Sequence, residues 1–258
     1  MLFRSGLGSP LGFAFRSLRG TFAAWILGSG FFALVLGAVS KGITANTLPP
    51  NVRAELERLG AGAIATPAGY LSLVFLFFVF STSLYACAQI AALRREEVDQ
   101  QLETLFALPV SRRHWFASRL ALAVAGAVAI AVAAAVFAWL GAVASGVSLS
   151  LLDTLGSGLN CLPTVLLFLG LSALAFAAAP RASGAVAYGA ACVAFLWELF
   201  GGLLGVPTWV LGLSPYHHIG LVPTQPFRAT AALVMLGIGA ALMVVGAAVF
   251  ERRDLTGA

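Results

Sequence analysis

Apolar residues run along this chain in long blocks, and polar residues collect in the gaps between them. Six blocks are long enough to cross about 30 Å of hydrocarbon, which takes an α-helix of roughly 20 residues. They fall at Thr21–Ser40, Tyr70–Leu93, Leu120–Ser145, Leu159–Ala179, Ser183–Leu204 and Ala229–Phe250. The first contains a cleavage-like Ala38-Val39-Ser40, but its apolar run exceeds the ~7–15 residues of a secretory signal core. It reads as a retained span. Ala117, Ala121, Ala125, Ala129 and Ala133 recur every four residues. They predict a strip of small side chains on the third span against which a neighbouring helix packs.

The gaps have patterns of their own. Ser9-Pro10 is a helix-start signal, a capping serine followed by proline at the first helical position. Leu11, Phe15 and Leu18 then share a face, with Arg16, Ser17 and Arg19 turned away. Residues 1–20 therefore predict a short amphipathic helix lying along one membrane surface. A second is expected after the first span, opened by Pro49-Pro50-Asn51, lined by Val52, Leu56 and Leu59, and ended by Gly60. Between the second and third spans, Val98, Leu102, Leu105 and Phe106 recur at helical spacing, while Glu96, Glu97, Asp99, Gln100 and Glu103 occupy the other faces. Pro109 stops this helix and Ser111 caps the next. The gap at 203–228 is apolar but interrupted by Pro207, Pro215, Pro223 and Pro226 and by Gly205, Gly212 and Gly220. Broken backbone at membrane depth must pack on protein or line a water-filled cavity. Short re-entrant or interfacial helices are predicted there.

Composition sharpens this picture. Of 258 residues 60% are hydrophobic and 10% charged, whereas soluble domains carry roughly 25% charged residues. Lipid must be the solvent for most of the chain. The net charge of +5 does not indicate nucleic acid, because the basic residues sit at block edges rather than in a patch. With the N-terminus inside, eleven arginines fall in inner segments, and only Lys41, Arg53, Arg58 and Arg228 in outer ones. The fold class follows: an all-α integral membrane protein with six transmembrane helices and both termini cytoplasmic. The stretch 94–119 is then cytoplasmic, and it holds four of the ten acidic residues. An acidic helix suits a protein partner better than an anionic lipid surface.

Candidate chemistry is sparse. No Gly-x-x-x-x-Gly-Lys-Ser/Thr loop, His-Glu-x-x-His or Gly-x-Ser-x-Gly occurs. No catalytic residue or metal-ligand set is assigned, and the chain is not expected to be an enzyme by itself. Cys87, Cys161 and Cys192 follow no ligand spacing and read as small buried side chains. His217-His218 read as loop histidines. Glu198 is the carboxylate within a span, which raises a functional question by default. It lies about 9 Å from the outer end of its helix at ~1.5 Å per residue, beside Trp197. A structural or gate-lining role suits that depth, with proton coupling as the alternative.

Residues 94–119 resemble the coupling segment of permease subunits of type II ABC exporters. Arg95-Glu96-Glu97, Leu102-Glu103, Leu105-Phe106, Pro109-Val110-Ser111-Arg112 and Trp115 match that family's pattern in order. Gln100-Gln101 departs from it, where relatives often carry glycine and a small or basic residue. Leu213-Ser214-Pro215-Tyr216-His217-His218 with Pro223 and Pro226-Phe227, and the tail Phe250-Glu251-Arg252-Arg253-Asp254-Leu255, are similar to the actinobacterial branch of polyketide-antibiotic exporters. Members often join two six-span halves in one chain. This sequence resembles the second half, including its start at Gly8–Gly12.

The resemblance implies a single permease domain over 1–258, with an interfacial helix at 1–20, a coupling segment at 94–119 and an outer re-entrant segment at 203–228. It implies a separate ATP-binding cassette subunit that grips Glu96, Glu97, Leu102, Glu103, Leu105, Phe106, Pro109 and Arg112. ATP and magnesium would sit on that partner, with no cofactor bound by this chain. Further implied partners are a second permease half (another copy of this chain or a separately encoded half), the bilayer and a hydrophobic substrate. The substrate would leave past an outer gate near Glu198, Pro215, Tyr216 and His217. An ion-coupled secondary transporter and a non-transporting membrane scaffold remain as alternatives.

Overall fold

The computed structural model describes residues 10–42, 66–98, 111–201, 204–205, 207–222 and 224–253. These form α1 (Pro10–Val39) with a 3₁₀ turn at Ser40–Gly42, α2 (Pro67–Val98), α3 (Arg112–Ala144), α4 (Leu151–Leu159) and α5 (Leu162–Ala178). Then follow α6 (Ser183–Gly201), α7 (Thr208–Leu211), a 3₁₀ turn at Pro215–His218 and α8 (Ala229–Arg252). Six helical stretches are long and apolar enough to span a membrane, the fourth being α4 and α5 together. Exposed Leu27, Phe31, Val193, Leu233 and Val244 on these stretches fit lipid as their solvent. The helix expected after Pro49 and residues 99–110 lie outside the described residues.

Helix α1 starts at Pro10, as its signal predicts, but runs unbroken to Val39. From Pro10 on, the amphipathic segment expected within 1–20 is thus continuous with the helix of the first span, whose membrane-capable stretch begins at Arg19. Gly20 is the one weak helix former at the junction, and its cost of about 1 kcal/mol relative to alanine does not end a helix.

Small residues set the packing, in two parallel pairs. In the α1–α3 pair, a Cβ on Gly37 would collide with the Ala138 carbonyl, and one on Gly141 with the Leu34 carbonyl. In the α5–α8 pair, Gly170 meets the backbone of Gly239, and Gly246 that of Leu174. Such approach needs residues without side chains, since lipid supplies little apolar drive for helices to associate. The alanine strip predicted on the third span is not the packed face. Ala117, Ala121 and Ala125 are exposed, and α3 packs through Ala123, Ala127, Ala131, Ala134, Ala135, Ala138 and Ala142. Alanine occurs all around this helix, so its spacing alone selects no face.

Burial ranks the spans. The apolar windows of α2 and of α4–α5 are 61% buried, against 22% for α1, α6 and α8. Helix α2 is therefore central, touching α3, α5 and α6. The fourth span also starts earlier than expected. It opens at Leu151 behind the Ser150 cap and breaks at Asn160-Cys161, with Pro163 in the first turn of α5. At the break the Asn160 amide donates to the Gly220 carbonyl at 2.7 Å, and Ser157 Oγ to the Val222 carbonyl at 2.8 Å. These bonds hold Gly220 and Val222 of the segment before α8 against the bundle.

Candidate functional site

Helix ends bring two polar clusters together, one at each end of the bundle. At the end where α1 begins and α8 finishes, the last turns of α2 carry Glu96 and Glu97. Adjacent helical residues project about 100° apart, so the two carboxylates reach different neighbours. Glu96 Oε2 pairs with Arg119 Nη2 of α3 at 2.7 Å, where the arginine side chain is 4% exposed. Glu97 pairs with Arg94 at 3.2 Å and with Arg253, the residue after α8. Arg253 also donates to the Phe176 carbonyl at 2.8 Å, and its own carbonyl accepts from Arg112 Nη1 at 2.7 Å. Its guanidinium lies 5.3 Å from the Phe176 and Phe250 ring centroids. Those rings stack with Phe116, and Phe250 also stacks on Trp115. Ion pairs this far from water are weakly screened, and each loses much if one partner is removed.

At the opposite end the 203–228 segment is pinned to α6. Trp197 Nε1 donates to the Val210 carbonyl at 3.1 Å and Ser214 Oγ to the Ala194 carbonyl at 2.9 Å. Glu198 Oε1 lies 3.3 Å from His217 Nδ1, and Arg228 donates to the His217 carbonyl at 3.0 Å. Ser214 caps the 3₁₀ turn and Pro215 opens it, which drives Tyr216 inward. Tyr216 is 1% exposed. Its ring stacks on Phe168 at 5.4 Å and meets Phe195 edge-on at 5.5 Å and Phe80 at 6.5 Å. Phe80 lies thirteen residues into α2, roughly 20 Å along the axis at ~1.5 Å per residue.

An apolar groove of about 390 Å³ opens between α1 and α2, lined by Trp25, Phe32, Phe77 and Phe78 with Gly28, Ser29 and Ser81. Aromatic walls with two hydroxyls suit a hydrophobic molecule carrying few polar groups.

A family model described as "Multidrug efflux system permease Rv1217c, C-terminal domain" matches residues 7–251. The chain belongs to that family. The multidrug efflux system permease protein Rv1217c of Mycobacterium tuberculosis (strain ATCC 25618 / H37Rv) is 35% identical over 253 residues. That alignment covers 96% of this chain and 46% of the relative, so the chain spans about half the relative's length. Family membership and six membrane-capable helices make this a multi-pass membrane protein of permease type.

The sequence-predicted residues divide accordingly. Glu198, Pro215, Tyr216 and His217 come together at one end. Glu96, Glu97 and Arg112 come together at the other, but the two carboxylates face arginines of their own chain. Leu102, Glu103, Leu105, Phe106 and Pro109 lie outside the described residues. Sequence reading missed Arg119 and Arg253 as partners of the carboxylates. The available signal was Arg119 itself, a charge about two turns inside an apolar helix that needs an acid nearby.

Proposed function

We propose that this chain is the membrane-spanning half of an ATP-driven exporter of hydrophobic compounds, powered by a separate nucleotide-binding subunit. The observation that carries this reading is the match along residues 7–251 to the C-terminal domain of a multidrug efflux permease. Both termini face the cytoplasm. In support, Arg19, Arg94, Arg95, Arg112, Arg113, Arg181, Arg252 and Arg253 cluster at the end where α1 begins, with Lys41 and Arg228 at the other.

The chain supplies the path and its partner the energy. Segment 94–119 receives the ATP-driven movement through Leu102, Glu103, Leu105 and Phe106, with ATP and magnesium held by the partner. A second permease half, either another copy of this chain or a separately encoded one, faces this one across the cargo. The cargo lies against the α1–α2 groove and leaves past Tyr216 and the Glu198–His217 pair.

The test is a mild-detergent pull-down of the tagged chain, followed by ATP hydrolysis measurements on the eluate. A nucleotide-binding subunit should co-elute, and Glu103→Lys should reduce that recovery at least tenfold while the chain still inserts. Elution without any ATPase, or full recovery with Glu103→Lys, refutes the proposal.

A further inference from the structure

The tail Phe250-Glu251-Arg252-Arg253 has no role in the exporter scheme above, yet its last residue bonds to three other helices. Arg253 meets Glu97 at the end of α2, the Phe176 carbonyl at 2.8 Å in α5, and Arg112 at the start of α3 through its own carbonyl at 2.7 Å. Phe250, fully buried among Trp115, Phe116 and Phe176, fixes where α8 ends and so where Arg253 sits. Glu97 and Arg112 flank residues 99–110, so chain enters and leaves that segment through two residues that Arg253 holds.

We propose that Arg253 is a positioning residue that carries displacement of the 94–119 segment into α8. This inference rests on the exporter reading, because it needs that segment to be the point where an ATPase pushes. The physical case is directional bonding. A planar guanidinium donates in fixed directions from several nitrogens, here to Glu97 and to the Phe176 carbonyl at once. Sliding α2 past α8 breaks the bond to Glu97, and sliding α5 past α8 the bond to Phe176; either leaves a charged group short of a partner in surroundings that exclude most water. The ends of α2, α3, α5 and α8 therefore move together. Helix α8 in turn shares the Gly170–Gly239 contact with α5, which keeps that pair aligned deep into the bundle. Helix α6 makes none of these ion pairs among the described residues, so it serves as the reference against which a shift of the block is read.

The experiment uses the chain assembled with its nucleotide-binding subunit in lipid nanodiscs. Spin labels go on Val193→Cys of α6 and Val245→Cys of α8, both exposed, with Cys192, which is half-buried, replaced by serine. The inter-label distance is measured without nucleotide and with ATP plus vanadate. The unsubstituted pair should change distance on ATP binding. Arg253→Lys keeps the charge but loses the forked geometry, and Glu97→Gln keeps the shape but loses the charge. Each should remove more than half of the ATP-driven change while the assembly melts within a few degrees of its parent.

Full retention of the change in both variants overturns the proposal. Loss in Glu97→Gln with retention in Arg253→Lys also overturns it, and returns Glu97 to a role facing the partner. If neither variant folds, Arg112→Lys, which weakens the bond to the Arg253 carbonyl, must reduce the change; full retention there overturns it too. No distance change in the unsubstituted assembly, or no ATPase in it, sinks the exporter reading and this inference with it.

Discussion

Replacing Gly239 by alanine tests the claim that bare backbone contact holds α5 and α8 together. A Cβ on Gly239 would stand 2.7 Å from the Leu166 carbonyl oxygen and 3.0 Å from the Leu167 nitrogen. Both are backbone atoms of a helix that cannot bend locally out of the way. Restoring ordinary contact at about 3.4 Å requires α8 to retreat by roughly 0.7 Å. A gap of ~0.5–1 Å forfeits a quarter to a half of each dispersion contact of ~0.1–0.2 kcal/mol. Over some tens of atom pairs, that loss reaches about 1–2 kcal/mol, within the ~1–3 kcal/mol typical of overpacking. The control is two residues away. Gly237 has nothing within 4 Å of its would-be Cβ, so Gly237→Ala should gain helix stability of about 0.5–1 kcal/mol. Thermal unfolding of both variants in one detergent, followed by circular dichroism, reads the contrast. A chain of this size moves about 2–4 °C for each kcal/mol. Gly239→Ala should melt lower and Gly237→Ala higher than the parent. Equal melting temperatures for the two would refute the reasoning, because helix propensity alone treats them alike.

Further outcomes follow from other sites. The Tyr85 hydroxyl is buried with no hydrogen-bond partner among the described residues, so Tyr85→Phe should leave unfolding stability unchanged or raise it by about 1 kcal/mol; a loss of that size contradicts the reading. A Cβ on Gly126 would strike that hydroxyl first, so Gly126→Ala should destabilise by about 1–3 kcal/mol, and Tyr85→Phe should recover part of it in a double-mutant cycle. Strict additivity in that cycle would show that the two do not meet. Glu198→Gln can still hydrogen-bond His217, and exporter function does not need its charge; efflux from vesicles should persist at half or more of the parent rate. Complete loss together with sensitivity to a proton uncoupler would favour ion-coupled transport.

The six spans were legible because an apolar run of about 20 residues has few stable alternatives to a membrane helix. The first part of the fourth span was not, because Asp153, Thr154 and Ser157 make its sequence polar. The helix disguises that polarity: Thr154 Oγ1 donates to the Ser150 carbonyl and Ser157 Oγ to the Asp153 carbonyl, both at 2.9 Å. Helix pairing was also hidden, since α3 offers alanine on every face and only contact geometry shows which face is used. The gathering of Glu198, Tyr216 and His217 was partly legible from prolines and glycines that forbid a plain helix at 203–228. Apart from Arg94, three residues before Glu97 on the same helix, the partners of Glu96 and Glu97 come from α3 and the end of α8, and no local pattern relates positions 97 and 253.

The break at Asn160-Cys161 imposes an order on biogenesis. The Asn160 amide and the Ser157 hydroxyl find their cross-segment acceptors at Gly220 and Val222, sixty and sixty-five positions later in the chain. At translation rates of ~5–20 residues per second, the fourth span waits about 3–13 seconds at the translocon before those carbonyls are synthesised. During that interval the Asn160 amide inside the fourth span lacks its Gly220 acceptor. A ribosome stalled just after the fifth span would therefore leave a chain with most of its hydrophobic segments inserted and that amide still without its acceptor.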